Sequence, residues 1–117
     1  MPGRCTRGTV LRVNLDPSIG REIMKTRPCV VVQNDIGNRN SQLTIIVPTT
    51  DAEGAKAPSP IYIPVPRGEG GLLKDSLVVC NQIRTVDESR LGEVLGKLSD
   101  SIMAKIDQAL KISLALD

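Results

Sequence analysis

Apolar and polar side chains alternate over residues 9–15 (TVLRVNL), with Leu11, Val13 and Leu15 on one face and Arg12 and Asn14 among the others. That two-residue period predicts a half-buried strand. Residues 28–33 (PCVVVQ) and 43–49 (LTIIVPT) are instead rich in β-branched side chains and predict central strands. Between these segments, Pro17 and Gly20 make residues 16–26 a loop, Pro28 biases the residue before it to extended geometry, and 35–42 (DIGNRNSQ) reads as a turn. Residues 51–60, with two prolines among Gly, Ala and Ser, predict an exposed and mobile connection.

Farther along, 61–65 (IYIPV) predicts a strand that Pro64 confines to a sheet edge, 67–71 (RGEGG) a turn, and 76–84 (SLVVCNQIR) another strand. Residues 90–98 are ambiguous, because Leu91, Val94, Leu95 and Leu98 have helical spacing while Gly92 and Gly96 weaken a helix. Residues 99–116 predict a helix capped by Ser99 or Asp100, with Ile102, Ile106, Ala109, Leu110 and Leu114 as its apolar stripe. Short strands followed by one helix imply a small curled β-structure with the helix packed on it.

Composition narrows the choices. A chain of 117 residues is expected to form one domain, and 40% hydrophobic residues without an apolar run near 18 residues argue against disorder and membrane spans. The start MPGRCTRGTV has no apolar segment of the secretory kind, and three widely spaced cysteines fit reduced thiols in a cytoplasm. Cys29 and Cys80 fall inside strand-like runs and read as small buried hydrophobes. The chain has no histidine, which removes the commonest general acid or base and the imidazole of a zinc site, so neither metal nor cofactor is expected. One tyrosine and no Phe or Trp argue against a single-strand binder built on base stacking.

Net charge is only +2, yet residues 1–40 hold seven Arg and Lys against three acids, while 41–117 hold eight against ten. This bias is compatible with a local anion-binding face. Within it, Arg27 stands at the threshold of an apolar strand, with Glu22 five residues upstream. One permanent cation and one potential proton acceptor at the same sheet edge suit phosphate chemistry.

These residues belong to a longer pattern: Arg7-Gly8-Thr9-Val10, then Asp16-Pro17-Ser18-Ile19-Gly20-Arg21-Glu22, then Arg27-Pro28. Gln33-Asn34-Asp35-Ile36-Gly37-Asn38 and Gln82-Ile83-Arg84-Thr85-Val86-Asp87 extend it. The whole resembles the MazF/PemK family of toxin endoribonucleases, from about Arg7 through the last helix. The resemblance implies an SH3-like small β-barrel of the MazF/Kid/CcdB type with a C-terminal helix, and for residues 90–98 it favours a short helical turn followed by a strand. It also implies a type II toxin–antitoxin component: a sequence-specific, metal-independent endoribonuclease that cuts single-stranded RNA, chiefly messenger RNA, to 2′,3′-cyclic phosphate and 5′-OH ends. The implied partners are a second copy of the chain and a MazE-like antitoxin, acidic and partly disordered.

The resemblance further assigns catalysis to Arg27 and to a threonine in the next strand. Thr50, the second Thr of Pro48-Thr49-Thr50, is the match, with Thr49 as the fallback. Glu22 is the carboxylate available as a base, although a loop glutamate equally fits reading a base edge or pairing with Arg27. Asn34, Asn81 and Gln82 carry amides suited to base selection, Gln82 also fits a core-edge role, and Arg21 and Lys25 are expected to meet the RNA. Two other readings stand beside this one: a same-fold toxin that inhibits DNA gyrase by binding, and a non-catalytic RNA-binding module.

Overall fold

A computed structural model describes residues 5–52 and 59–117. Among these, strands β1 (Thr9–Asn14), β2 (Thr26–Val31), β3 (Leu43–Asp51), β4 (Tyr62–Val65), β5 (Ser76–Val79), β6 (Arg84–Asp87) and β7 (Leu91–Lys97) accompany helices α1 (Asp35–Asn40) and α2 (Asp100–Leu114). All strand pairs are antiparallel, in the order β4-β5-β3-β2-β1-β7, with β6 also on β3. The strand-rich architecture with a terminal helix is as expected, but the hydrogen-bonded path is open: β4 and β7 are its two ends, and the sheet does not close into a barrel. Pro64 indeed lies on an edge strand, where its missing N–H leaves no ladder bond unmade.

The central strands are buried on both faces. Val10, Val30 and Val47 face one core with Met103, Ile106 and Ala109 of α2, while Leu11, Val13, Cys29, Val31 and Ile46 face another with Leu15 and Val86. The half-buried alternation expected for residues 9–15 is therefore corrected, because Val10 is as fully buried as Leu11. Thr9–Asn14 also pairs with β7 through two register shifts, so its period is locally broken.

Three further readings are revised and one ambiguity is resolved. Residues 35–40 form a helical turn and a half, which Asn34 caps by accepting the Gly37 N–H at 2.8 Å. The strand expected over 76–84 is two strands separated by a turn at 80–83, which lets β5 pair with Thr49–Asp51 and β6 with Leu43–Ile46 of the same long β3. Residues 91–97 are a strand, preceded by a 3-10 turn at Glu88–Arg90, as the family resemblance favours. Gly96 is required there by close approach: a Cβ would stand 2.7 Å from the Gly70 carbonyl carbon. Helix α2 stops at Leu114, and Leu114 is exposed at the end of the proposed stripe, whereas buried Met103 completes it. The connection expected over 51–60 falls largely outside the described residues.

One end of the sheet is tied by polar groups that satisfy each other. The Arg7 guanidinium pairs with Asp107 of α2 and donates to the Val32 carbonyl at 3.1 Å, and the Arg7 backbone N–H donates to Asp35 at 2.7 Å. Buried Asn38 donates to the Gln33 carbonyl and to Asp35, and accepts from Gln33 and from the Thr44 hydroxyl at 2.8 Å. The Arg7 N–H, and then the Asn38 amide, hold the Asp35 carboxyl below its ordinary value. The Arg-Gly and Gln-Asn-Asp-x-x-Asn parts of the pattern are thus joints between helices and sheet.

Candidate active site

β2 and β3 stay paired from Val31–Ile46 to Cys29–Pro48 and then separate. Pro28 and Pro48 bring no N–H to that end of the ladder, and β3 turns instead to β5 from Thr49 onward. The separation opens a cleft of about 230 Å³ lined by Arg27, Thr49 and Thr50, with Arg12 and Lys74 on its walls and Leu72 and Leu95 among its apolar surfaces.

The two threonines differ. Thr49 pairs with Val78 of the first core, is 2% exposed, and its hydroxyl donates to the Pro28 carbonyl at 2.8 Å. Thr50, one residue on, faces the other way, is half-buried, and among the described residues its hydroxyl has no hydrogen-bond partner. Arg27 lies opposite Val13 of the second core, so strand alternation sends Arg27 and Thr50 to the same face.

The cations around the cleft also differ. Arg12 pairs with Glu93 at 3.4 Å and Lys74 with Asp51 at 3.6 Å. Among the described residues Arg27 has no carboxylate within ion-pair distance; its Nε reaches the Met24 carbonyl at 3.4 Å, a long hydrogen bond. An unneutralised guanidinium beside a free hydroxyl is equipped to bind an anion with tetrahedral oxygens.

A second cleft of about 250 Å³ lies on the Pro48 side of β3, lined by Glu22, Asn81, Gln82 and Arg84 over apolar Leu15, Ile23 and Ile46. Glu22 therefore lines the neighbouring cleft instead of the Arg27 cleft, and one of its carboxylate oxygens accepts the Ile19 N–H at 2.6 Å. Asn81 is exposed with no side-chain hydrogen bond among the described residues, whereas the side-chain oxygen of Gln82 (Oε1) accepts the Ile23 N–H at 2.8 Å. Arg21 and Lys25 are exposed on the loop and line neither cleft. Asn34 also lines neither, sits beyond the far end of β2, and is occupied in capping α1.

The loop bearing Glu22 is tied down at its root. Leu15 N–H donates to the Lys25 carbonyl at 2.9 Å, Lys25 N–H to Asp16 at 2.8 Å, and Arg84 and Arg90 donate to the carbonyls of Leu15 and Asp16 at 2.5 and 2.6 Å. Arg84 and Arg90 are more than sixty positions away in the chain, and the sequence reading gave neither a role. The arginine of the Gln-Ile-Arg-Thr run was the available signal for the first. Beneath the site, burial pushes the Cys29 thiol up to about 12 against a smaller opposing pull from Arg84, and burial alone takes Cys80 to about 11. Both are unreactive neutral thiols, as the sequence suggested.

The profile of the family described as PemK-like, MazF-like toxin of type II toxin–antitoxin system matches residues 6–114. Endoribonuclease EndoA of Bacillus subtilis (strain 168) is 42% identical over 110 residues, covering 94% of each chain. Endoribonuclease MazF of Staphylococcus epidermidis is 41% identical over 111 residues, covering 95% of this chain and 92% of that protein. Among solved structures, an endoribonuclease in complex with its cognate antitoxin from a mycobacterial species superposes with TM-score 0.75 at 26% identity, over 97% of both chains. MazF from Deinococcus radiodurans superposes with TM-score 0.81 at 22% identity, over 96% of this chain and 97% of that one, a likeness of fold.

Proposed function

This chain belongs to the PemK-like, MazF-like toxins of type II toxin–antitoxin systems, and on that premise we propose that it is a metal-independent endoribonuclease of single-stranded RNA, messenger RNA above all. The observation that carries the proposal is the Arg27 cleft, where an unpaired guanidinium and the free Thr50 hydroxyl line one concave surface at the splayed end of β2 and β3. Its two relatives from Bacillus subtilis and Staphylococcus epidermidis, both named endoribonucleases, point the same way.

In this reading the scissile phosphate enters between Arg27 and Thr50. The neighbouring ribose 2′-oxygen attacks phosphorus as the phosphorus–5′-oxygen bond breaks, the departing 5′-oxygen takes a proton from water, and the products are a 2′,3′-cyclic phosphate and a 5′-OH end. Arg27 donates its planar fork to the non-bridging oxygens, where charge accumulates in the transition state. Thr50 donates one further hydrogen bond and orients the phosphate; Thr49, buried and already bonded to Pro28, is the weaker candidate. Glu22 accepts the 2′-OH proton if the RNA crosses the Pro48 ridge from one cleft to the other, with the adjoining base in the second cleft. Asn81 and the amide nitrogen of Gln82 read that base. Arg21 and Lys25 attract the flanking phosphates, and Asn34, remote from both clefts, is left with its capping role.

Regulation follows from the family. The reading includes a homodimer and an acidic, partly disordered antitoxin; the pairing with an antitoxin is supported by the solved structure of an endoribonuclease in complex with its cognate antitoxin. Gyrase inhibition by binding alone leaves an unpaired arginine and a free hydroxyl in one cleft unexplained. Cleavage of a labelled RNA in excess EDTA tests the chemistry: the ribose substrate is cut, and the same strand with one 2′-deoxy sugar 5′ to the scissile phosphate resists. Normal cutting of the deoxy strand, or loss of activity to EDTA, overturns the mechanism.

A further inference from the structure

The loop carrying Glu22 and the turn carrying Asn81 meet through one side chain. Gln82 accepts the Ile23 N–H at 2.8 Å, and Ile23 directly follows Glu22. Toward the tip, Glu22 is folded onto Ile19 twice, by its carboxylate at 2.6 Å and by its own N–H at 3.2 Å to the Ile19 carbonyl. Residues 19–22 therefore move as a unit. The root of the loop is fixed separately by Leu15, Asp16, Lys25, Arg84 and Arg90. Among the described residues, two hydrogen bonds join residues 18–23 to positions outside the loop: the Ser18 hydroxyl donates to the Leu15 carbonyl at 2.8 Å at the root, and Gln82 makes the one bond to a distant part of the chain.

Gln82 also lines the second cleft beside Glu22 and Asn81. Its oxygen is committed to Ile23, and among the described residues its amide nitrogen has no partner. An amide so held offers only donors to the cleft. From this we infer that Gln82 couples base recognition to the placement of Glu22, a coupling that rests on the nuclease function proposed above. A base presenting an acceptor edge bonds the amide nitrogen and keeps the oxygen on Ile23, so the Glu22 turn stays seated. A base presenting a donor edge requires the amide to flip, which sets the NH₂ group against the Ile23 N–H. Two donors facing each other leave that N–H unsatisfied, and the Glu22 turn is displaced. Discrimination then appears in kcat, because the wrong base misplaces a reacting group as well as weakening its own contact.

The test combines cleavage kinetics at a mapped preferred site with amide hydrogen exchange at Ile23. Gln82→Ala is expected to lower kcat about tenfold, the loss of one positioning hydrogen bond, and to raise KM through the lost contact with the base. Exchange at Ile23 is expected to speed up by a similar factor of about ten. Gln82→Glu keeps an oxygen for Ile23 but removes the donor: it is expected to restore kcat and exchange protection while KM rises. A Gln82→Ala protein that shows only a higher KM, or unchanged exchange at Ile23, overturns the coupling and leaves the nuclease reading intact. A wild-type protein that cuts no RNA overturns the nuclease reading and the coupling together.

Discussion

The two ends of β2 use the same kinds of side chain in opposite ways. At the end near Val31, Arg7, Asp35, Asn38 and Asp107 bond one another, and each of these four side chains has a partner. At the end near Thr26, Arg27, Thr50 and Asn81 have their polar atoms free of side-chain partners among the described residues, apart from the long contact of Arg27 with Met24. Roughly 20 Å of strand separates these ends, from six residues at about 3.3 Å each. Arginine type and motif membership are common to Arg7 and Arg27; pairing is what distinguishes a joint from a site. A buried network that is complete rigidifies the fold, whereas unspent donors beside a cleft are available to a ligand.

The largest expected effect is at the unpaired end. Replacing Arg27 by Ala removes the charge proposed to face the phosphate and should slow cleavage by about 10²–10³ or more under single-turnover conditions, with little change in thermal stability. Arg27→Lys should recover little of this, because the planar fork is lost even though the charge remains. An Arg27→Ala protein that cuts at the wild-type rate would break the comparison.

The threonines sharpen it next. Thr50→Ala should cost about tenfold or more in rate while leaving unfolding nearly unchanged. Thr49→Ala should do the reverse and lower stability by about 1 kcal/mol, because the Pro28 carbonyl loses its donor. Urea unfolding beside single-turnover rates separates the two; equal effects on rate would remove the reason for preferring Thr50.

At the paired end the readout is stability. Asn38→Ala takes the acceptor from the buried Thr44 hydroxyl and removes the bonds to Gln33 and Asp35, and should cost about 2–3 kcal/mol in urea unfolding. Arg7→Ala should cost less, about 1 kcal/mol, because Arg7 and Asp107 are 33% and 41% exposed and solvent screens the pair. The smallest expected effect is on pH dependence. Asp35 is held below its unfolded value, so its contribution is complete above about pH 4 and is lost as pH falls through the lower folded value. The stability gap between wild type and Asp35→Ala should accordingly shrink from pH 6 to pH 3; a gap that widens on acidification contradicts the assigned hydrogen bonds.

Much of this was legible in the sequence, and the reasons are specific. The β-branched runs at 28–33 and 43–49 announce strands because both faces are buried, and the short link between them makes an antiparallel pair that brings Arg27 and Thr50 to one end. Residues 91–97 are poorly legible because Leu91, Val94 and Leu95 fit a helical period, and what decides the strand is the approach of Gly96 to Gly70. Helix α1 is too short to show a period, and its capping residue Asn34 looks like a binding amide until its acceptor is seen to be spent. The pinning of the loop over 16–26 is not legible because its ties come from Gln82, Arg84 and Arg90, far away in the chain. The separation of Glu22 from the Arg27 cleft is likewise a matter of how the loop is pinned, which no local pattern encodes.

The most direct test of the central claim is a side-by-side measurement of single-turnover RNA cleavage by Arg27→Ala and Arg7→Ala, each corrected for its folded fraction at the assay temperature. Two arginines of one family pattern are then compared by the same chemistry. The account predicts that folded Arg7→Ala cuts within about threefold of wild type, while folded Arg27→Ala is slower by about 10²–10³. Equal losses in the two variants, or a greater loss in Arg7→Ala, would contradict it.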